Sequence, residues 1–320
     1  MLASHDVAFE PWGRAVRLPR ETFPQLKAVL AGFSRTERAD LRAAPPQAGE
    51  ESPDPWQAAP FEQWVQRLDS RWFSTACQHL LFYLQPIVAL SSGEVYGQEA
   101  LVRACVEGEL IGAGALLQAA TVHDQARAFD AQARRVAIRT AYPQLAEGQV
   151  LFINFAPGVV YNPDVCLQTT FQACREVNAD FSRLLFEVTE SEAFPDLGLL
   201  AAILQRYRAE GAQVALDDLG AGQTSLTYLD ALRPDLVKLD RGLIQGLHAD
   251  DHRVPLIGAL IAYAHDLGIR VVAEGIEREE ELHMVRDLGA DYAQGYFLGR
   301  PAPAPQHPGV SARASRMWTP

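Results

Sequence analysis

Cysteine is scarce and unpatterned in this chain. Cys77, Cys105, Cys166 and Cys174 form no C-x-x-C pair and no metal-ligand spacing. That argues against a zinc ribbon or a disulfide framework and leaves four small hydrophobes in a reducing compartment. Long apolar runs are missing too, since none approaches the roughly 18–20 residues needed to cross a bilayer. The opening residues MLASHDVAFEPW lack a basic-then-apolar leader pattern, so a cytoplasmic protein without a membrane span is expected. Positive charge is the third shortage. Lys and Arg number 28 against 40 Asp and Glu, a net charge of -12, whereas duplex nucleic acid is bound by clustered basic residues. An anionic substrate is still compatible with this balance, because bound divalent cations reverse the field of a carboxylate-lined site.

What is present is enough apolar residue, 48% of 320 positions, to bury a substantial core. Composition divides the chain near residue 76. Before it lie Trp12, Trp56, Trp64 and Trp72 and two amphipathic patterns, Phe23, Leu26, Val29, Leu30, Phe33 and Phe61, Trp64, Val65, Leu68, Trp72. Both are spaced as helices, the second following Pro60. The intervening RTERADLRAAPPQAGEESPDP reads as a linker. Residues 1–75 are therefore expected to be a helical segment whose apolar faces dock on the main domain or meet a regulatory partner. Residues 76–305 are expected to form the main domain and residues 306–320 a flexible tail, the chain being Pro-rich from Pro301.

In the main domain short apolar runs alternate with amphipathic ones. The strands are expected at 81–90, 94–102, 150–155, 183–189, 213–218, 236–240, 270–275 and 291–298. Eight strands with intervening helices over this length predict an α/β fold, a modified TIM (β/α)8 barrel. Only Ser91-Ser92-Gly93 joins the first two. That is too short for a parallel crossover, so one strand must run antiparallel.

Polar residues interrupt these apolar strands near their C-terminal ends: Glu99, Asn154, Glu187, Asp217-Asp218, Lys238, Glu274 and Gln294. In a barrel those ends meet on one face, where the site is built. A single carboxylate there is readily explained as a helix cap, but seven interruptions on separate strands are not. Oxygen donors without Cys or His select a hard cation, Mg²⁺ or Mn²⁺. The adjacent aspartates suit a pair of ions that clamps an in-line phosphoryl displacement. These residues alone point to metal-dependent phosphoester hydrolysis.

The runs QPIVALSSGEVYGQEALVR, INFAP, FEVTESEAF, ALDDLGAGQTSLTYL, LRPDLVKLDRGLI, VVAEGIE and DYAQGYFLGRP occur in order. Together they resemble the EAL-domain cyclic di-GMP phosphodiesterases over residues about 81–303. The resemblance implies hydrolysis of cyclic di-GMP to linear pGpG in bacterial signalling, with two Mg²⁺ or Mn²⁺ ions and a homodimer through the barrel. It implies that Glu99, Asn154, Glu187 and Asp217 bind one ion, and Asp217, Asp218 and Glu274 the other. Lys238 would orient the attacking water, a general-base role for Glu274 is equally consistent, and Asp240 would position Lys238. Gln294 would support the water network, while Arg103 and Gln85 would meet the substrate. Glu190 and Glu277 would brace the loop after Asp218.

That loop departs from the family pattern: Leu219 and Gln223 stand where aromatics are usual. The stretch between Arg103 and Asp130 also matches poorly. An inactive cyclic di-GMP receptor is the alternative, though degenerate members would be expected to lose metal ligands or the lysine, and this chain keeps them. GAGQTS and GAGALL lack the third glycine of a dinucleotide loop, and His123-Asp124 reads as a solvated surface pair.

Overall fold

The computed structural model describes residues 7–12, 15–19, 22–44, 58–160, 162–189, 196–220 and 226–306. The expectations for Glu190, Gln223 and nearly all of the 306–320 tail fall outside that set. The chain divides into two compact units, Met1–Gln78 with Gly114–Gln125, and His79–Ala113 with Ala126–Pro320.

In the first unit the two patterned helices form at Phe23–Ala31 and Phe61–Asp69. Val7, Leu26 and Val29 are buried together, with Leu18, Phe33 and Phe61 packed against them. The expected linker is in part ordered. Arg35–Asp40 is helical because Ser34 and Glu37 form a reciprocal capping box, a local signal that the surrounding charge and proline obscure. Arg42–Ala43 then pairs with Ala59–Pro60. A helix at Ala113–Val122 supplies further apolar residues, Leu116, Ala119, Ala120 and Val122. Its last carbonyl, of Val122, accepts from Gln63 and Arg67. His123 is not a solvated residue: its ring stacks on Phe73 and lies 3.0 Å from Ser70 Oγ.

The second unit is a closed barrel. Its strands are β1 (Leu80–Ala89), β2 (Val95–Val106), β3 (Val150–Phe155), β4 (Leu184–Thr189), β5 (Gln213–Leu219), β6 (Leu236–Leu239), β7 (Arg270–Ala273) and β8 (Tyr292–Gln294). β2 to β8 pair in parallel in chain order, and β1 closes the ring antiparallel to both β2 and β8. The antiparallel first strand follows from its short connection, as expected. β2 runs on past Arg103 to Val106 and turns back through Glu107-Gly108 into Glu109–Ile111. Both turn residues have positive φ, the conformation of a tight hairpin turn. β8 is shorter than expected, because the chain turns after Gln294, with Leu298 N and Gly299 N both donating to Gly295 O.

Side chains alternate across each strand, and the inward positions below the mouth are apolar: Ile87, Val150, Phe152, Leu185, Ala215, Leu236, Val272 and Tyr292. Gly97 belongs beside them, where a Cβ would collide with the Phe152 ring. The next inward layer, two residues further toward the barrel mouth, is polar. Phe152 leads to Asn154, Leu185 to Glu187, Ala215 to Asp217, Leu236 to Lys238, Val272 to Glu274 and Tyr292 to Gln294. Antiparallel β1 steps the other way, from Ile87 to Gln85. The barrel therefore has an apolar floor and a charged mouth.

Candidate active site

Lys238 is the centre of that mouth. It is 1% exposed, and its Nζ lies 2.5 Å from Glu274 Oε1, 3.2 Å from Glu187 Oε1, and 3.5 Å from both Glu99 Oε2 and Asp217 Oδ1. Burial disfavours the ammonium, but four surrounding carboxylates hold its pKa well above the lysine range. One ammonium cannot neutralise four carboxylates. If all ionise, three negative charges are left in a largely buried space, and the carboxyl groups respond. Burial, together with neighbouring carboxylates, drives Glu187 well above its usual range and raises Asp217. Glu274 is pushed up to about 8 by burial, against the pull of Lys238. Glu99 alone moves down. Burial opposes its ionisation, but Lys238 and hydrogen bonds from Gln294 and Asn154 outweigh it.

Those bonds fix the cluster. Asn154 Nδ2 donates to Glu99 Oε1 at 2.7 Å, and Gln294 Nε2 donates to Glu99 Oε2 at 2.7 Å and to Gln85 Oε1 at 3.3 Å. In register, Gln85 faces Glu99 and Asn154 faces Glu187. Asn154 is further held from behind. The N–H of Ala156 donates to Asp130 Oδ1, and Asp130 pairs with buried Arg134, which donates to Tyr207.

Asp218 would point away from Asp217 in a regular strand. Instead the β5–β6 register shifts between Leu216 and Leu219, and Asp218 has φ +60°. A bulge thus re-aims the side chain, at a residue type that tolerates left-handed backbone better than most. Carboxylate oxygens of Asp217, Asp218 and Glu274 all lie within 4.8 Å of one another. Asp218 is pushed up to about 6 by burial and by Asp217 and Asp240.

The donors are all oxygen, which suits a hard divalent cation. Glu187 supplies a direct test of that fit. It is fully buried, yet neither carboxylate oxygen accepts a hydrogen bond, and buried polar atoms rarely go without a partner. Lys238 Nζ stands 3.2 Å from Oε1 without completing a hydrogen bond, and a divalent cation bound here would satisfy both oxygens.

A cavity of about 240 Å³ opens here, lined by Gln85, Glu99, Asp217, Lys238, Glu274, Glu277 and Gln294 among the expected residues. Arg241 and Tyr296 line it as well. They follow KLD and QG directly, and that adjacency is the one sequence signal for them. Two expected residues have other contacts. Arg103 lies over the Tyr83 ring and donates to Val102 O, and β2 carries it past the cavity lining. Asp240 Oδ1 accepts from Gly242 N at 2.8 Å, capping the short helix Arg241–Ile244. Leu219 is buried in the core as an apolar anchor.

A closed eight-stranded barrel with an acidic, lysine-centred mouth at the C-terminal strand ends defines a modified TIM-barrel protein whose all-oxygen donor set would fit hard cations. Residues 70–301 match the EAL domain family model, and the chain belongs to that family. Among curated relatives, an uncharacterised signaling protein of Caulobacter vibrioides is 32% identical over 76% of this chain and 29% of its own length. The cyclic di-GMP phosphodiesterase NbdA of Pseudomonas aeruginosa is 30% identical over 70% of this chain and 29% of its own length. The solved PaMucR phosphodiesterase–c-di-GMP complex superposes with TM-score 0.63 at 30% identity, covering 71% of this chain and 98% of that one. The chain spans under a third of the length of these curated relatives. No helix among the described residues is long and apolar enough to cross a membrane.

Proposed function

We propose that this chain hydrolyses one phosphodiester bond of cyclic di-GMP to give linear pGpG, using two bound Mg²⁺ or Mn²⁺ ions. The observation that carries the reading is the charge imbalance at the mouth, four carboxylates about one buried lysine, in a chain of the EAL family. Glu99, Asn154, Glu187 and Asp217 would hold one ion, and Asp217, Asp218 and Glu274 the other. Bound there, the ions supply Lewis acidity toward the phosphate oxygens.

The chain's own groups do the rest. Lys238 Nζ orients the attacking water, and Glu274, in contact with that ammonium, is the base within reach of its proton. Water adds to phosphorus, the P–O3′ bond breaks, and the 3′-oxygen leaves with a proton. Gln294 donates to Glu99 and to Gln85, so Gln85 orients the amide that holds Glu99, and both side chains line the substrate side. Arg103 turns from Tyr83 to meet a phosphate, for which its forked donors are suited. Glu277 at the cavity and Glu190 brace the loop after Asp218. From the family resemblance we also infer a homodimer through the barrel, and from the amphipathic patterns before residue 76 a regulatory partner for the N-terminal helices.

Incubation with cyclic di-GMP and Mg²⁺ or Mn²⁺, followed by chromatography, tests the reading. Appearance of pGpG supports it. Binding without turnover would instead make this a receptor.

A further inference from the structure

Glu281 is a carboxylate outside the cation-binding set that is as buried as any within it, at 0% exposure. It lies in the helix Glu279–Asp287, and its two oxygens serve two different loops. Oε2 accepts from the backbone N–H groups of Glu277 and Arg278, at 2.8 and 3.0 Å. Oε1 accepts from the N–H of Gly246 at 2.7 Å and from the Arg278 side chain at 3.1 Å. The first loop follows β7 and carries Glu274. The second follows β6, which carries Lys238.

These loops are already joined at their near ends, where Glu274 N donates to Leu239 O at 3.1 Å. Glu281 joins their far ends, so Leu239 to Gly246 and Glu274 to Glu281 form a closed ring of bonds. Inside that ring the loops touch closely: a Cβ on Gly275, which has φ +72°, would collide with Arg241 Cβ. Arg253 holds the second loop from outside, donating to Gly242 O and Gln245 O while Asp251 pins its guanidinium. The shortest ion-pair contact at the mouth, Lys238 to Glu274, spans the same two strands.

We infer that Glu281 is a positioning residue for the cation site, setting the placement of Glu274 against Lys238 by clamping the two loops that follow them. A helix cap alone needs only the bonds to Glu277 and Arg278; the bond to Gly246 lies 35 positions away in sequence and stabilises no helix. The inference rests on the metal-binding reading of the mouth.

The test is a Mn²⁺ titration by calorimetry, without substrate, of the parent chain, Glu281→Gln and Leu282→Ala. Leu282 is a buried neighbour on the same helix, so its truncation destabilises the helix packing without releasing the clamp. Outer groups that orient metal ligands typically change affinity by 10–100-fold when removed. Glu281→Gln is expected to weaken Mn²⁺ binding about tenfold, and Leu282→Ala to leave it within about twofold. Arg278→Ala, which strips donors from one oxygen only, is expected to fall between. In the metal-free protein, amide exchange at Gly246 should quicken in Glu281→Gln and not in Leu282→Ala. Unchanged affinity in Glu281→Gln, or equal losses in Glu281→Gln and Leu282→Ala, overturns the inference. A parent chain that binds no Mn²⁺ overturns the functional reading itself.

Discussion

Asp217 and Asp218 are chain neighbours whose carboxylates share one space, because the β5 bulge and a φ of +60° at Asp218 undo the strand's alternation. Asp218 bears the consequence: its carboxyl group is pushed up to about 6 by burial and by the charges of Asp217 and Asp240. An acid with a raised folded-state pKa lowers stability once the pH exceeds its unfolded value, and the full cost is present above the folded one. Asp218→Asn should therefore stabilise the metal-free protein at pH 8 by about 1 kcal/mol, after discounting for solvent screening. It should also cost about 100-fold or more in turnover. Thermal melts in EDTA and pGpG assays check both.

Lys238→Met separates chemistry from cation binding. It removes the ammonium that orients water and also a positive charge that competes for the carboxylates. Turnover should fall by about 10²–10⁴-fold, while Mn²⁺ affinity holds or rises. Loss of both would assign Lys238 to the fold rather than to the reaction.

Cation loading should carry a proton signature. Without metal, Glu274 keeps its proton up to about 8 and Asp218 up to about 6, whereas ligation requires both bare. Mn²⁺ affinity should thus climb from pH 6 to pH 8 and level above it. Protons should be released at pH 7, seen as a buffer-dependent heat in calorimetry. EDTA should abolish turnover reversibly, and Ca²⁺ should fail to restore it.

Behind Asn154, the Asp130–Arg134 pair is buried and tied to Ala156 N and Tyr207. Asp130→Asn leaves the guanidinium of Arg134 without its counter-charge and should cost about 3–5 kcal/mol in denaturant unfolding. A change under 1 kcal/mol would show that the pair is not fixing this side of the barrel.

Much of this was readable beforehand because an inward layer obeys a period of two. In VLFIN, LLFE, VALD and LVK a polar residue stands where the next inward apolar one belongs, so the mouth is written into the strand pattern. The bulge was not readable, since Asp-Asp has no alternative spelling that marks a shifted register. Nor was the Glu281 clamp, whose partner Gly246 lies in a different loop. The helix cap made by Asp240 was not readable either, because a carboxylate two residues after a lysine is marked in the same way whether or not it caps the helix that follows. The Glu107-Gly108 turn had a signal, a glycine after a polar residue between apolar runs, that a family mismatch in the same stretch obscured.

Gly97 leaves room for Phe152, and together with its apolar layer that ring stoppers the barrel from beneath. Among the described residues the barrel then opens at its mouth, and the proposed reactant and product would share that doorway. For the proposed hydrolase, a spent dinucleotide that is slow to depart would bar the next arrival, so release as well as bond cleavage would set how fast this cup is refilled.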